Sequence, residues 1–221
     1  MLLSPSLAST VCCAEWMKDP YILEMTASEP LSLEEEYAMQ GSWRDDSRKC
    51  TFIVLASTAL YRYVRGYDAV DGDEDDEVVR MIGDVNLFLN DRDDDMSVAE
   101  IEVMIAEHDF RRKGCATKAL QLLMHYAHNT LGIMRFYAKI SESNVDSINL
   151  FRDRLHYREV NYVGAFGEYE YEFLVTAGDN DDDATAKVRA LVNSDYAYGR
   201  AAPYEGDDSD WESAPSTRSN E

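Results

Sequence analysis

Apolar residues along the chain follow two different periods. Thr51-Phe-Ile-Val-Leu55 and Met81-Ile-Gly-Asp-Val-Asn-Leu-Phe-Leu89 are compact apolar runs of strand length, and they predict two paired strands. From Ala99 to Ala106 the pattern alternates, with Ile101, Val103 and Ile105 on one face and Glu100, Glu102, Met104 and Ala106 on the other, as in a central strand. The period then changes: Ala116, Ala119, Leu120, Leu123 and Ala127 recur at helical spacing until Leu131-Gly132 stops the helix. A strand is expected over 133–140, followed by a helix capped by Asn144 that turns Ile148, Phe151 and Leu155 inward. Residues 157–163 and 169–175 then form a hairpin around Gly164-Ala-Phe-Gly167. Upstream, Ser32 stands three residues before Glu35, a capping-box signal for a helix over about 32–42. Strands alternating with helices predict a mixed α/β sheet.

Length and charge set the frame for these elements. At 221 residues one well-cored domain plus tails suffices, and we place it over 15–176. Forty-three acidic against 21 basic residues give a formal net charge of −22. Such a surface repels phosphate backbones and anionic lipid, so neither nucleic acid nor a membrane is an expected partner, whereas a basic protein target is suited to it. The excess is clustered at 71–77, at 91–95 and from Gly178 onward, which predicts an acidic disordered insert over about 66–79, within which the strand connection is a loop. The same reading predicts an acidic, mostly disordered tail over 177–221 containing a short helix near 184–193. Cys12, Cys13, Cys50 and Cys115 have neither disulfide-framework nor metal-ligand spacing, so we read them as free thiols of a reducing compartment, cytoplasmic or nuclear. No apolar run approaches the ~18 residues of a membrane span. Residues 1–14 read as an atypical start with weak strand character and no basic leader.

Chemistry concentrates in Met104-Ile-Ala-Glu-His-Asp-Phe-Arg-Arg-Lys-Gly-Cys-Ala116, a strand running through a basic, Gly-containing turn into a helix. Unpaired N–H groups at a helix N-terminus and the helix dipole favour an anion, and Gly114 lets a pyrophosphate come close to the backbone. Arg111, Arg112 and Lys113 add positive charge. The segment lacks the Gly-Lys-Ser/Thr ending of a P-loop and the three glycines of a dinucleotide fold. Taken alone, Arg-x-x-Gly-x-Ala also fits a surface turn.

Set beside Phe136-Tyr-Ala-Lys-Ile140, Asn144-x-x-Ser147-Ile148, Phe151 and Leu155-His-Tyr157, this loop resembles that of the GNAT N-acetyltransferases. Thr26-Ala-Ser-Glu-Pro-Leu31, Glu36-Tyr-Ala-Met-Gln40, Gly83-Asp-Val-Asn-Leu-Phe-Leu89 and Glu100-Ile-Glu-Val-Met-Ile-Ala106 are similar to the N-acetyltransferase 9-like group, over about 15–175. The resemblance implies a mixed, mostly antiparallel twisted sheet flanked by helices, with a splayed central strand. It also implies a first strand ahead of Glu15-Trp-Met-Lys18, where residues 1–13 are a poor match; read as a mispredicted or truncated start, they would leave that edge strand missing.

By the same resemblance acetyl-CoA is the co-substrate, with no metal. Met104, Ile105 and Ala106 would bond the pantetheine arm through the backbone. Arg111, Arg112, Lys113, Gly114, Cys115, Ala116 and Thr117 would hold the pyrophosphate, with Asn144 and Phe151 as further cofactor contacts. Glu100 stands where some relatives carry a general base, and alternation puts Glu102 on the same face. An amine must lose a proton before it attacks a thioester, which is the work such a carboxylate would do. Both glutamates equally fit attraction of a cationic substrate or pairing with Lys139. Phe151 replaces a Tyr acid of some relatives and Lys139 a Glu of others, so neither of those roles carries over. The helix before Leu155 is one residue longer than usual and His156 replaces a Gly, which predicts a local distortion. The implied function is acetyl transfer to an amine, a protein N-terminus or a lysine. The alternative is a non-catalytic acyl-CoA-binding or protein-interaction module on the same fold.

Overall fold

A computed structural model describes residues 1–3, 5–66, 77–89, 95–175, 186, 190 and 192. It divides into two compact units, one holding Met1–Asp84 and Met104–Lys113, the other Val85–Val103 and the described residues from Gly114 to Val192.

In the first unit a two-residue strand β1 (Leu2–Leu3) pairs antiparallel with β2 (Lys49–Leu55), Leu2 opposite Val54. The expected first strand is therefore shortened rather than missing. The chain then enters α1 (Leu7–Trp16), whose start is fixed by a capping box in which Ser6 and Ser9 bond each other's backbone. Ser9 does the work that Glu or Gln usually does, which is why this helix escaped the sequence pattern. A short helix α2 (Pro20–Met25), capped by Asp19, leads to α3 (Leu33–Asp45). Ser32 and Glu35 cap α3 as its sequence predicts. Cys13, Trp16, Ile22, Ile53, Leu55, Met81 and Ala106 form one apolar core here. The connection after β2, expected as a loop, contains an amphipathic helix α4 (Thr58–Arg65), capped by Ser57. A 3-10 turn at Val78–Arg80 then enters β3 (Met81–Leu89). The acidic run 71–77 lies outside the described residues except for Glu77, as do 91–94 and most of the tail.

The second unit orders the rest of the sheet as β3-β4-β5-β7-β6. Strand β4 (Val98–Ile105) pairs in parallel with β5 (Arg135–Ser141), joined by the helix α5 (Cys115–Leu131). Gly132, in the left-handed conformation at φ 75°, ends α5. Helix α6 (Val145–Asn149) runs into a π-helical stretch, Leu150–Arg154, before β6 (Arg158–Val163) and β7 (Glu168–Leu174) close an antiparallel hairpin. An inserted residue in a helix is accommodated by such a wide turn, and His156 leaves it at φ 57°, the distortion the extra residue foretold. Val192, from the acidic tail, is fully buried, and its carbonyl accepts from Asn129 Nδ2 at 2.9 Å.

One buried group in the first unit lacks compensation. Glu36 is 1% exposed, and neither carboxylate oxygen has a hydrogen-bond partner. Burial raises its pKa. A raised folded-state pKa makes the protein more stable as pH falls toward the ordinary carboxylate range, and less stable as pH rises through the folded value. Glu36→Gln is expected to stabilise the fold at pH 7.5 by roughly 1 kcal/mol, relieving part of an unsatisfied buried charge. Thermal melts at pH 7.5 and pH 5 check this, because the advantage of the variant must shrink at the lower pH.

Candidate active site

Strand β4 parts from its parallel neighbour early. The register covers Val98–Arg135, Ala99–Phe136 and Glu100–Tyr137, while β4 continues to Ile105 and β5 stays paired with β7 along its whole length to Ser141. On its other side the end of β4 is gripped tightly. Ala106 and Glu107 both donate to the Ile82 carbonyl, at 2.9 and 3.2 Å. A Cβ at Gly83 would stand 1.9 Å from the Met104 carbonyl oxygen, so only glycine permits this approach.

The loop that follows is built from its own charges. Phe110, 1% exposed, plugs the turn and stacks on Tyr61 with ring centroids 6.0 Å apart. The Arg111 guanidinium turns back to donate to the Ile105 and Ala106 carbonyls, at 2.8 and 2.9 Å, with the Tyr21 ring 4.9 Å away. Arg111 thus closes the strand end with its side chain. Arg112 and Lys113 are exposed. Arg112 takes φ 59° and Gly114 φ 79°, both left-handed. The first backbone bond of α5 runs from Lys118 to Gly114, so Cys115, Ala116 and Thr117 lie in the turn whose N–H groups have no acceptor within the helix. With two exposed cations just ahead of it and the positive end of a 17-residue helix behind it, this loop suits a diphosphate.

In the second unit, Glu100 is buried to 8% exposure, and Lys139 donates to its Oε2 at 2.8 Å. The pairing that the sequence allowed as one reading is therefore present. Glu102, two residues on, is exposed. Asn144 Oδ1 accepts from the Ser147 N–H at 3.1 Å and caps α6. Phe151 is buried edge-on against Tyr157, with centroids 5.0 Å apart. Tyr157 is itself buried, its hydroxyl on Met124 Sδ at 3.4 Å, and burial drives its pKa well up.

Residues 3–153 match the family described as Acetyltransferase (GNAT) domain. The chain belongs to the GNAT acetyltransferases. A human alpha/beta-tubulin-N-acetyltransferase 9 is 42% identical over 166 residues, 75% of either chain. An N-acetyltransferase 9-like protein of Nematostella vectensis is 41% identical over 177 residues, 80% of this chain and 82% of its own. Among solved structures, a Vibrio cholerae spermidine N-acetyltransferase in complex with CoA and spermine aligns over 78% of this chain and 92% of its own, at a TM-score of 0.58 and 14% identity, which shows a shared fold. The mixed, mostly antiparallel sheet flanked by helices is the GNAT fold that the motifs implied, and the chain is an N-acetyltransferase.

Two residues that serve the GNAT loop were not singled out from the sequence. Trp16 Nε1 donates to Glu107 Oε1 at 3.0 Å, and Arg65 reaches Glu107 and Asp109. Ser57 followed by Leu60, Tyr61, Val64 and Arg65 at helical spacing was the available signal for α4.

Arg112 holds a backbone conformation that costs a non-glycine residue about 1–2 kcal/mol. Arg112→Gly is expected to stabilise the protein by up to ~1 kcal/mol, after the flexibility that glycine adds to the unfolded chain. It should also weaken binding of a phosphorylated ligand. Chemical denaturation and ligand titration on the same variant check both halves.

Proposed function

We propose that the chain transfers the acetyl group of acetyl-CoA directly to an amine of a protein, with an N-terminal α-amino group as the preferred acceptor. The observation that carries this reading is the loop from Arg112 to Thr117, with two left-handed residues leading into the positive end of α5. Around it, Arg112 and Lys113 are exposed to meet a diphosphate, and β4 runs beyond its ladder with β5. Two of the solved GNAT neighbours were crystallised with CoA. The human relative is named for tubulin, which supports a protein acceptor here as well. The net charge of −22 suits a basic stretch of such a partner.

In the proposed step the neutral amine attacks the thioester carbonyl, a C–N bond forms, the C–S bond breaks, and CoA leaves as a thiolate. The proton from the amine passes to Glu100, directly or through water. A thiol with a pKa near 8.5 leaves without a protein acid, so the absence of a Tyr at Phe151 is tolerable. Taking up the proton would weaken the ion pair of Glu100 with Lys139, which restrains it in this role. That restraint favours an acceptor that sheds its proton easily. At pH 7.4 an α-amino group is about one-quarter neutral, a lysine about one part in a thousand.

Calorimetric titration with acetyl-CoA tests the cofactor reading. Micromolar binding is expected for the native chain and none for Arg112→Glu/Gly114→Glu; a folded native protein that fails to bind overturns the proposal. Glu100→Gln should retain that binding while turnover on an N-terminal peptide falls by about 10²-fold, the usual contribution of a general base. Unchanged turnover would take Glu100 out of the step.

A further inference from the structure

The segment that carries the proposed phosphate loop also carries charge of the wrong sign. Glu107 and Asp109 lie in the same turn as Arg111, Arg112 and Lys113, and left uncompensated they would repel a diphosphate. Both acids are met by one residue. Arg65, in the last turn of α4, donates through Nη2 to Glu107 Oε2 at 2.6 Å and through Nη1 to Asp109 Oδ2 at 2.8 Å. Its guanidinium lies 5.6 Å from the Phe110 ring centroid, and Tyr61, one turn earlier on α4, stacks on the same ring. The two fork nitrogens therefore hold Glu107, just ahead of the 3-10 turn His108–Phe110, and Asp109 within it, while Tyr61 of α4 packs on Phe110 at the end of the turn. The second oxygen of Glu107 is occupied by Trp16.

We propose that Arg65 is a positioning residue of the cofactor loop: it neutralises Glu107 and Asp109 and fixes the turn, so that the cations beyond it act on the diphosphate undiminished. This rests on the reading of that loop as the acetyl-CoA site. Arg65 acts on the ligand only through the two acids. Helix α4 thereby gains a purpose, because it buries no residue of its own. The clamp ties it to the loop beside the stack of Tyr61 on Phe110.

The test uses the full chain, with acetyl-CoA titrated calorimetrically at low and at physiological salt. Arg65→Met keeps the aliphatic stem and removes the charge. Arg65→Met/Glu107→Gln/Asp109→Asn then removes the charges it left exposed, and the amide introduced in place of Glu107 still offers an oxygen to Trp16. We expect Kd to rise roughly three- to tenfold in the single variant, the range of exposed ion pairs, and more at low salt, where screening is weak. In the triple variant Kd should return to within about twofold of the native value. An unchanged Kd in Arg65→Met overturns the role. So does a raised Kd that the triple variant fails to restore, since Arg65 would then be serving the fold alone. Melting curves on both variants separate that case, because loss of the clamp lowers stability in each. Failure of the native chain to bind acetyl-CoA would instead overturn the cofactor reading beneath it.

Discussion

A strand cannot turn into a helix within a few residues without exposing polar backbone at both ends, and the way this chain resolves that constraint governs its site. At Ile105 and Ala106 the carbonyls that end β4 are taken by the Arg111 guanidinium. At Cys115 the N–H groups that begin α5 are given no intrahelical acceptor, as in any helix, and the left-handed residues Arg112 and Gly114 set where that turn begins. The asymmetry matters. Negative ends are covered by the protein's own cation, and positive ends have no acceptor within the helix. Gly83 makes the arrangement possible on the inner side, because any side chain there would push β3 away from the Met104 carbonyl and loosen the strand end.

Much of this was readable from residues, for identifiable reasons. The period change at Ala116, the Ser32 and Asn144 caps and the stop at Gly132 are local signals, and each element starts or ends within about two residues of where they put it. The long-range choices were not legible. Arg111, grouped with the phosphate contacts, commits its side chain to the strand, and no spacing rule distinguishes it from Arg112. Helix α4 was hidden because it sits beside an acidic run and buries no residue fully, and the partner of its apolar face, Phe110, lies far away in sequence. Ser9 in place of Glu concealed the cap of α1. Lys139 and Glu100 are 39 residues apart; only the parallel ladder brings them together.

The extra residue before Leu155 shows how the fold absorbs a local change without moving what flanks it. Confining it to the π-helical stretch leaves Asn144 capping α6 at one end and Tyr157 buried at the other. The consequence is chemical as well as geometric. Phe151 is committed to the Tyr157 ring, and the Tyr157 hydroxyl to Met124, so this segment offers packing where an acid would otherwise be sought. A thiolate leaving group makes that tolerable.

A related constraint acts on Glu100, the proposed base. Glu100 is one of few buried charges among the described residues of its unit, and an ionised carboxylate at that depth is costly without a partner. Lys139 supplies one, and because its own side chain is 36% exposed it stays in reach of water while Glu100 does not. In the proposed step a proton moving onto Glu100 loosens this ion pair, and the lysine it releases is partly exposed rather than buried. The carboxylate thus sits inside and its cationic partner at the rim. An acceptor that arrives already neutral brings no second cation to this pair, which is the physical ground of the proposal that an α-amino group is preferred over a lysine.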